Sequence, residues 1–336
     1  MRRLLALAAL LLAFAVAAPA SARSPYSGCI QRDSAACRAE RERHQLGIYG
    51  VRSADQLARE GVEVRRLFVL NAYYADMGLI SFSRDHEAAP RLVLHSPGYG
   101  PDRTPPLSAA VPLPLWEEVR AESEAFHQGR RMAALGPDDI CVDAWSYIVE
   151  AGRPANGSRP AGSASRIVDQ CSGPVHPAWL AERALGLFPA CAPLRERAGS
   201  DYDALMSCAQ LRAEPVAVDA WVALAPLFEW GNGDSDAVRG AFAPDAVLDW
   251  DEAGPGGTAA DRWLRELRAR GGALGFERAE ALGNGRTRVT GFVVFNQQTD
   301  QGGKGPGYRA RAVLELAREG GELRIVSARI ARYRRS

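Results

Sequence analysis

The cysteines and histidines of this chain are confined to its first two thirds. All six cysteines and all five histidines of the 336 residues precede residue 210. Disulfides can therefore constrain only that part of the fold, and the remainder must be held together by core packing. This change in composition predicts two domains that meet near residues 212–215, a number of domains that the chain length also favours.

The first 22 residues have the three parts of a secretory signal. Met1-Arg2-Arg3 is positively charged, residues 4–18 are apolar, and the segment ends in Ala20-Ser21-Ala22. The apolar run is shorter than the roughly 20 residues that a membrane-spanning helix needs, and an Ala-x-Ala end is typical of a cleavage site. We therefore expect cleavage near Ala22 and a periplasmic or secreted mature protein without a membrane span. An uncleaved anchor is the alternative that this pattern disfavours.

An exported chain with an even number of cysteines is expected to form disulfides. Several pairings are open, and pairing between neighbours in the sequence closes the shortest loops at the lowest entropic cost. The sequence contains no Cys-x-x-Cys spacing of the kind that binds zinc, so we expect structural disulfides, no metal and no cofactor. The favoured pairs are Cys29–Cys37, Cys141–Cys171 and Cys191–Cys208.

The charge of the chain is almost balanced. It contains 41 basic and 40 acidic residues, and loss of Arg2 and Arg3 with the signal leaves 39 basic residues. Such a surface lacks the excess of positive charge that nucleic acids and anionic membranes attract, so neither is expected as a partner. A hydrophobic content of 47% predicts packed cores rather than disorder.

Residues 23–212 have the pattern of an α+β domain with a small sheet, stapled by the disulfides. Apolar alternation predicts strands, amphipathic spacing predicts helices, and a Gly/Pro/Ser/Ala-rich stretch at residues 152–165 predicts a linker or surface loop. This domain resembles no particular family. The predicted strands are 62–70, 78–83 and 91–95, residues 140–151 are predicted as a strand or a short helix, and the predicted helices are 32–45, 115–127, 178–187 and 202–211.

Residues 215–336 show a more regular order of elements. Two helices, a short strand at residues 246–250 and a further helix that begins after Thr258 are followed by four strands. Gly283-Asn284-Gly285 and Glu319-Gly320-Gly321 are typical of the turns between antiparallel strands. The four predicted strands are 274–281, 286–296, 308–317 and 322–333.

This order resembles the NTF2-like, or SnoaL-like, superfamily. The resemblance rests on FAPDAVL at residues 242–248, VTGFVVF at 289–295, YRARAVLEL at 308–316 and ELRIVSARI at 322–330. It implies a cone-shaped α+β domain over residues 215–336, in which a curved antiparallel sheet wraps a long helix and encloses an apolar pocket. It also implies a homodimer formed through the open sheet face.

Side-chain alternation on the strand from Tyr308 predicts which residues face that pocket. Tyr308, Ala310, Ala312, Leu314 and Leu316 share one face, and the small alanines would leave space for a ligand. The predicted pocket residues are Trp230, Phe292, Ala310 and Ala312.

Catalysis in such a pocket would need a proton carrier, and no histidine lies in this domain. Asp249 or Asp251 could act as a base with Tyr308 stabilising an enolate oxygen, which would make the protein a cofactor-independent isomerase or dehydratase. The alternative is that both carboxylates face water. The sequence favours a binding protein for a small apolar ligand or a protein partner over an enzyme, and a periplasmic inhibitor or immunity protein is a further alternative.

Overall fold

The computed structural model describes residues 35–70, 76–86, 88–96, 105–130, 146–169, 175–198, 200–228, 234–270, 272–298 and 304–335. The chain divides into two compact units, Met1–Leu180 and Ala181–Ser336. The predicted signal segment, the side chain of Cys37, and Cys29, Cys141 and Cys171 lie outside the described residues. The pairings Cys29–Cys37 and Cys141–Cys171 therefore stay predictions.

The N-terminal unit is built on a six-stranded antiparallel sheet with the strand order β4-β3-β2-β1-β5-β6. The sequence predicts three of these strands, and the sheet is larger than the small sheet that it indicates. The strands are β1 (Glu63–Leu70), β2 (Asp76–Arg84), β3 (Arg91–His95), β4 (Leu107–Ala110), β5 (Ser146–Arg153) and β6 (Gly162–Asp169).

Helices cover both faces of this sheet. Helices α1 (Ala35–Tyr49) and α2 (Ala54–Arg59) pack on one face, where Tyr49 contacts Phe68. Helix α3 (Leu113–His127) packs on the other face through contacts with β1 and β6. Because strand β1 is central and covered on both sides, every residue from Val64 to Leu70 is buried.

The predicted linker or surface loop at residues 152–165 is too long at both ends. Strand β5 continues to Arg153 and pairs with β6, which begins at Gly162, so only the short connection between them is a loop. Strand β6 is an edge strand of sequence GSASRIVD. Most of its residues are small or polar, so it lacks the hydrophobic alternation by which a strand is predicted from sequence.

The C-terminal unit contains a second six-stranded sheet. Its main path has the order β7-β11-β10-β9-β8, with β12 paired to β10, and among the described strands of this sheet only the β7–β11 pair is parallel. The predicted order of a short strand, a helix and four long strands is confirmed. The strands are β7 (Phe242–Asp249), β8 (Gly272–Ala281), β9 (Arg286–Gln298), β10 (Lys304–Glu319), β11 (Glu322–Ile330) and β12 (Arg334–Arg335).

Irregularities in pairing bend this sheet around a helix. Bulges interrupt the β8–β9 pair between Phe276 and Arg278 and the β10–β11 pair between Glu315 and Leu316. At the first bulge Gly291 is required, since a Cβ atom there would collide with the carbonyl oxygen of Gly275. The sheet packs on helix α8, whose first turn is held by a hydrogen bond from the Asp261 N–H to Thr258 Oγ1 (3.2 Å).

Five further α-helices lie in the described ranges, together with the 3₁₀ helix Pro189–Glu196 and three short 3₁₀ helices at Ala225–Leu227, Asp251–Ala253 and Gly283–Gly285. Within the described ranges, no helix combines the length and the apolar character that crossing a membrane requires. The helices are α4 (Val175–Leu185), the 3₁₀ helix Pro189–Glu196, α5 (Asp201–Gln210), α6 (Pro215–Leu224), α7 (Ser235–Gly240) and α8 (Ala259–Arg270).

The disulfide between Cys191 and Cys208 is present, but its predicted place in the fold is corrected. It joins the 3₁₀ helix Pro189–Glu196 to α5 in the helical middle of the chain, not in the N-terminal sheet. Both cysteines are fully buried, and the 3₁₀ helix packs against α5 and α6. These contacts group the bridge with the C-terminal unit, which is therefore not held by core packing alone.

Candidate functional site

The interior of the C-terminal cone, where the sequence predicts an apolar pocket, is filled by aromatic side chains. Trp250 and Trp263 are 1% and 0% exposed, and their ring centroids are 5.4 Å apart. Phe295 lies 6.3 Å from Trp250 and belongs to the same core cluster as Ala310 and Ala312. The alanines face the interior as predicted, but the space beside them is occupied by protein.

Of the other residues predicted to face the pocket, the structure describes Tyr308 and Phe292. Tyr308 is partly buried at the margin of the core cluster. Phe292 lies on the opposite face of the sheet, where the guanidinium carbon of Arg309 is 3.6 Å from its ring centroid. Trp230 lies outside the described residues.

The two predicted catalytic carboxylates are exposed and paired with arginines. The side chain of Asp249 is 61% exposed and accepts a hydrogen bond of 3.1 Å from Arg329 Nε. The side chain of Asp251 is 73% exposed, and its Oδ2 lies 3.8 Å from Arg332 Nη2. These positions match the alternative in which both carboxylates face water, and the structure does not bring them to Tyr308 in an apolar pocket.

The outer face of the C-terminal sheet is charged. Arg309 pairs with Glu277 at 2.9 Å, and Arg288 lies between Glu280 and Glu315 at 3.6 and 3.4 Å. A stable homodimer interface has an apolar core, and these cross-strand ion pairs occupy the face where it would form. Dimerisation through this face stays a prediction.

A groove of about 420 Å³ opens in the C-terminal unit between the 3₁₀ helix, α6, α7 and the β10–β11 hairpin. We call it the arginine groove. Its apolar wall comes from Val222, Ala223, Pro226 and Leu323. Its charged lining consists of Arg197, Asp219, Arg318, Glu322 and Arg324.

The positive charges of the arginine groove are only partly compensated. Arg318 donates to Asp219 Oδ2 at 2.8 Å, and Arg324 donates to Glu322 Oε2 at 3.1 Å. Arg197 is exposed and, within the described part of the chain, pairs with no carboxylate. The Nε–H of Arg324 is buried and finds no acceptor among the described residues. The groove therefore offers unused donors and one surplus positive charge.

A second groove, of about 390 Å³, lies in the N-terminal unit between helix α1 and the β5–β6 hairpin. We call it the Glu150 groove. Ile148 and Ile167 supply apolar surface. Its polar lining consists of Glu42, Gln45, Glu150, Ser163 and Ser165.

The carboxyl group of Glu150 in this groove has a strongly raised pKa. Glu150 is 6% exposed, and burial raises the pKa of its carboxyl to about 7, although the charge of Arg66 acts in the opposite direction. Arg66 Nη1 is 3.9 Å from Glu150 Oε2, because that nitrogen donates instead to the carbonyl oxygen of Arg52 at 2.6 Å. Glu150 Oε2 accepts no hydrogen bond from the described residues.

Comparisons with known proteins bear on the C-terminal unit. No protein-family model and no curated protein matches the chain. Solved structures with NTF2-like and cystatin-like folds match about a third of it, as the resemblance of residues 215–336 predicts. At such low identities the matches concern the fold, and the functions of these proteins do not transfer to this chain.

Three of these solved structures illustrate the match. An uncharacterised protein with a cystatin-like fold from Caulobacter vibrioides is 14% identical over 34% of this chain and 86% of its own, with a TM-score of 0.27. A protein of unknown function with a cystatin-like fold from Nostoc punctiforme is 14% identical over 34% of this chain and 87% of its own, with a TM-score of 0.26. A protein described as "Rd1NTF2_04 with long sheet" is 19% identical over 31% of this chain and 90% of its own, with a TM-score of 0.24.

Sequence reasoning missed both grooves for different reasons. The arginine groove combines residues from the 3₁₀ helix, α6 and the β10–β11 hairpin, which are far apart in the sequence. A signal for the Glu150 groove was present: Arg65-Arg66 and Glu150 stand inside apolar strand runs, where charged residues are rare unless they have a role. Only the structure shows that Arg66 and Glu150 are direct neighbours on β1 and β5.

Proposed function

We propose that this chain is an exported binding protein whose C-terminal unit holds a small carboxylate-bearing molecule in the arginine groove. The single observation that carries the proposal is the surplus of donors there: Arg197 without a carboxylate partner among the described residues and a buried Arg324 Nε–H without an acceptor among them. Guanidinium groups are the side chains that best recognise carboxylates, because their N–H groups match the two oxygens.

The filled cone supports this shift of the site from the interior to the groove. A ligand pocket needs empty volume, and Trp250 and Trp263 occupy the interior in contact with each other. The arginine groove, at about 420 Å³, falls within the range of about 300–1,000 Å³ that is common for small-molecule sites.

The two walls of the groove indicate the shape of the ligand. Val222, Pro226 and Leu323 offer apolar contact, while the arginines lie on the charged side. A molecule with an apolar body and one terminal carboxylate would satisfy both. Asp219 and Glu322 limit the excess of positive charge, which favours a ligand of single rather than multiple negative charge.

Phenylacetate and its neutral isostere phenylacetamide test this proposal by isothermal titration calorimetry. Phenylacetate should bind at least about tenfold more tightly, since a charge-assisted hydrogen bond contributes about 1.5–3 kcal/mol. Arg197→Gln should remove most of that difference, and Arg239→Gln, which changes an exposed arginine of the same unit outside the groove, should not. Equal binding of the two compounds, or an unchanged preference in Arg197→Gln, would contradict the proposal.

Export is part of the proposal and rests on the segment ending in Ala20-Ser21-Ala22. Mass spectrometry of the protein from fractionated cells should find a periplasmic or secreted chain that begins just after Ala22. A chain that still begins with Met1 in the membrane fraction would contradict cleavage.

A further inference from the structure

A row of polar side chains crosses the N-terminal sheet beneath helix α1. Arg66 on β1 is directly opposite Ser81 on β2 and Glu150 on β5, and Glu150 is directly opposite Ser165 on β6. Directly opposite residues on adjacent strands point to the same face of a sheet. The row therefore places a carboxylate in the middle of a face that is otherwise covered by apolar contacts such as Tyr49 with Phe68.

The Glu150 groove is acidic where it opens above this row. Its lining contains Glu42 and Glu150 and no arginine, lysine or histidine among the described residues. Arg66 lies beside the groove rather than in its lining, and its donors are directed to Arg52 O and Ser81 Oγ. A positively charged ligand in the groove would therefore meet two carboxylates before it met the guanidinium.

Two buried polar atoms at this groove, one acceptor and one donor, lack a hydrogen-bond partner among the described residues. Glu150 Oε2 is an acceptor and Gln45 Nε2 is a donor, and neither finds a hydrogen bond among the described residues. Gln45 is 1% exposed and Glu150 is 6% exposed, so bulk water does not satisfy them. A buried unpaired acceptor or donor destabilises a fold, and a bound molecule with both functions would remove that cost.

We propose that the Glu150 groove binds a small hydroxylated primary amine, with its ammonium at Glu150 and an oxygen at Gln45. The ammonium N–H groups donate to Glu150 Oε2, and the hydroxyl oxygen accepts from Gln45 Nε2. Ser163 and Ser165 lie along the same groove and supply further hydroxyl contacts. The groove volume of about 390 Å³ is large enough for such a molecule.

The site is also sensitive to pH, because the ammonium needs an ionised carboxylate. Burial raises the pKa of Glu150 to about 7. The charged groups that act on the pair are Arg66 from β1 and Glu42 from α1, with Arg52 acting on Arg66. Ligand binding should therefore weaken about tenfold between about pH 8 and about pH 6 as Glu150 takes up its proton.

Ethanolamine and ethylene glycol form a matched pair of probes, since a hydroxyl replaces the ammonium in the second. Nuclear magnetic resonance titration of the isotopically labelled full chain at about pH 8 should show ethanolamine binding at least about tenfold more tightly than ethylene glycol. Glu150→Gln keeps the shape of the side chain and should abolish that preference. Gln45→Met should weaken ethanolamine binding by about three- to tenfold, the range of one neutral hydrogen bond.

Glu117→Gln is the control, because Glu117 is an exposed glutamate of α3 that does not line the groove. It should bind ethanolamine like the unchanged chain. Absence of ethanolamine binding, equal binding of both probes, or an unchanged preference in Glu150→Gln would overturn the proposal. None of these results bears on the arginine groove, whose test uses an acid and residues of the other unit.

Discussion

Arg66 and Glu150 lie directly opposite each other on strands β1 and β5, yet the guanidinium Nη1 and the carboxylate Oε2 are 3.9 Å apart. That distance is too long for a hydrogen bond. Burial therefore dominates and raises the pKa of the carboxyl from 4.5 to about 7. In the folded protein Glu150 keeps its proton at pH values where the unfolded chain has lost it.

Because the pKa of Glu150 differs between the folded and the unfolded chain, the stability of the protein depends on pH. The contribution of Glu150 to the free energy of unfolding is fully present below the pKa of the unfolded chain and is lost as pH rises through about 7. Glu150→Gln removes the carboxylate, so it should be more stable than the unchanged protein at about pH 8. Its advantage should grow by about 2–3 kcal/mol between about pH 5 and about pH 8.

Urea unfolding of both proteins across this range measures that advantage. Burial also lowers the pKa of His95 and of His127 to about 4, so these histidines destabilise the fold as pH falls below the usual histidine range. Both proteins contain them, and the difference between the two proteins isolates Glu150. A difference that stays constant with pH would mean that Glu150 is ionised at neutral pH.

The aromatic filling of the C-terminal cone is tested by truncation of Trp250. Its side chain is 1% exposed and contacts Trp263, Phe295 and Tyr333. Trp250→Ala should lower the free energy of unfolding by about 3–5 kcal/mol, as is usual for loss of a buried tryptophan. Circular dichroism during urea unfolding follows this change without relying on tryptophan emission.

Trp221→Ala is the matched control, since Trp221 is only partly buried beside Phe228. Trp221→Ala should lower the free energy of unfolding clearly less than Trp250→Ala does. Comparable losses in the two variants would show that the cone interior is not a packed core, and would restore the pocket that the sequence predicts.

Helix α2 approaches the first sheet closely at Gly152. A Cβ atom at this position would lie 2.6 Å from the carbonyl oxygen of Ala54 and 2.9 Å from Val64 Cγ1. Since a backbone carbonyl cannot move without shifting its helix, Gly152→Ala should lower the free energy of unfolding by about 1–3 kcal/mol.

Gly162, at the start of the neighbouring strand β6, is the control for this steric effect. A Cβ atom there meets nothing within 4 Å. Gly162→Ala should be neutral or should stabilise the protein by up to about 1 kcal/mol through the unfolded state. Chemical denaturation of the pair gives the comparison, and a Gly152→Ala variant as stable as Gly162→Ala would contradict the close contact between α2 and β5.

The features that the sequence predicts correctly are those set by local periodicity. Alternation from Tyr308 to Leu316 identifies the buried face of β10, because side chains in a strand alternate between two faces. The order of elements over residues 215–336 follows from the same periodicities and from turn residues such as Asn284, whose φ is 68°. Each of these predictions needs only neighbours along the chain.

The features that the sequence does not predict depend on residues brought together from distant elements. The alanines of β10 indicate space, but whether space remains depends on Trp250 and Trp263, which enter the cone from other elements. In the same way, the burial of Glu150 depends on its pairing with β1 and on the cover provided by α1. The spacing of residues along one strand shows neither the packing beside the alanines of β10 nor the burial of Glu150.

The ion pair between Asp219 and Arg318 gives the last prediction, because it sets how much of the arginine groove is available to a ligand. Asp219 Oδ2 accepts from Arg318 Nη2 at 2.8 Å, and both side chains are about half exposed, at 45% and 57%. An exposed pair of this kind contributes at most about 1 kcal/mol to stability. Asp219 is therefore a competitor for Arg318 rather than a structural support.

Asp219→Ala should leave the free energy of unfolding within about 1 kcal/mol of its original value and should tighten phenylacetate binding by about three- to fivefold, since Arg318 loses its internal partner. Asp236→Ala removes a 90% exposed aspartate outside the groove and should change neither quantity. Calorimetric titration of both variants at low and high salt measures the effect, which salt should reduce because the groove is open to solvent. Weaker binding in Asp219→Ala would show that this carboxylate orients Arg318 for the ligand and does not compete with it.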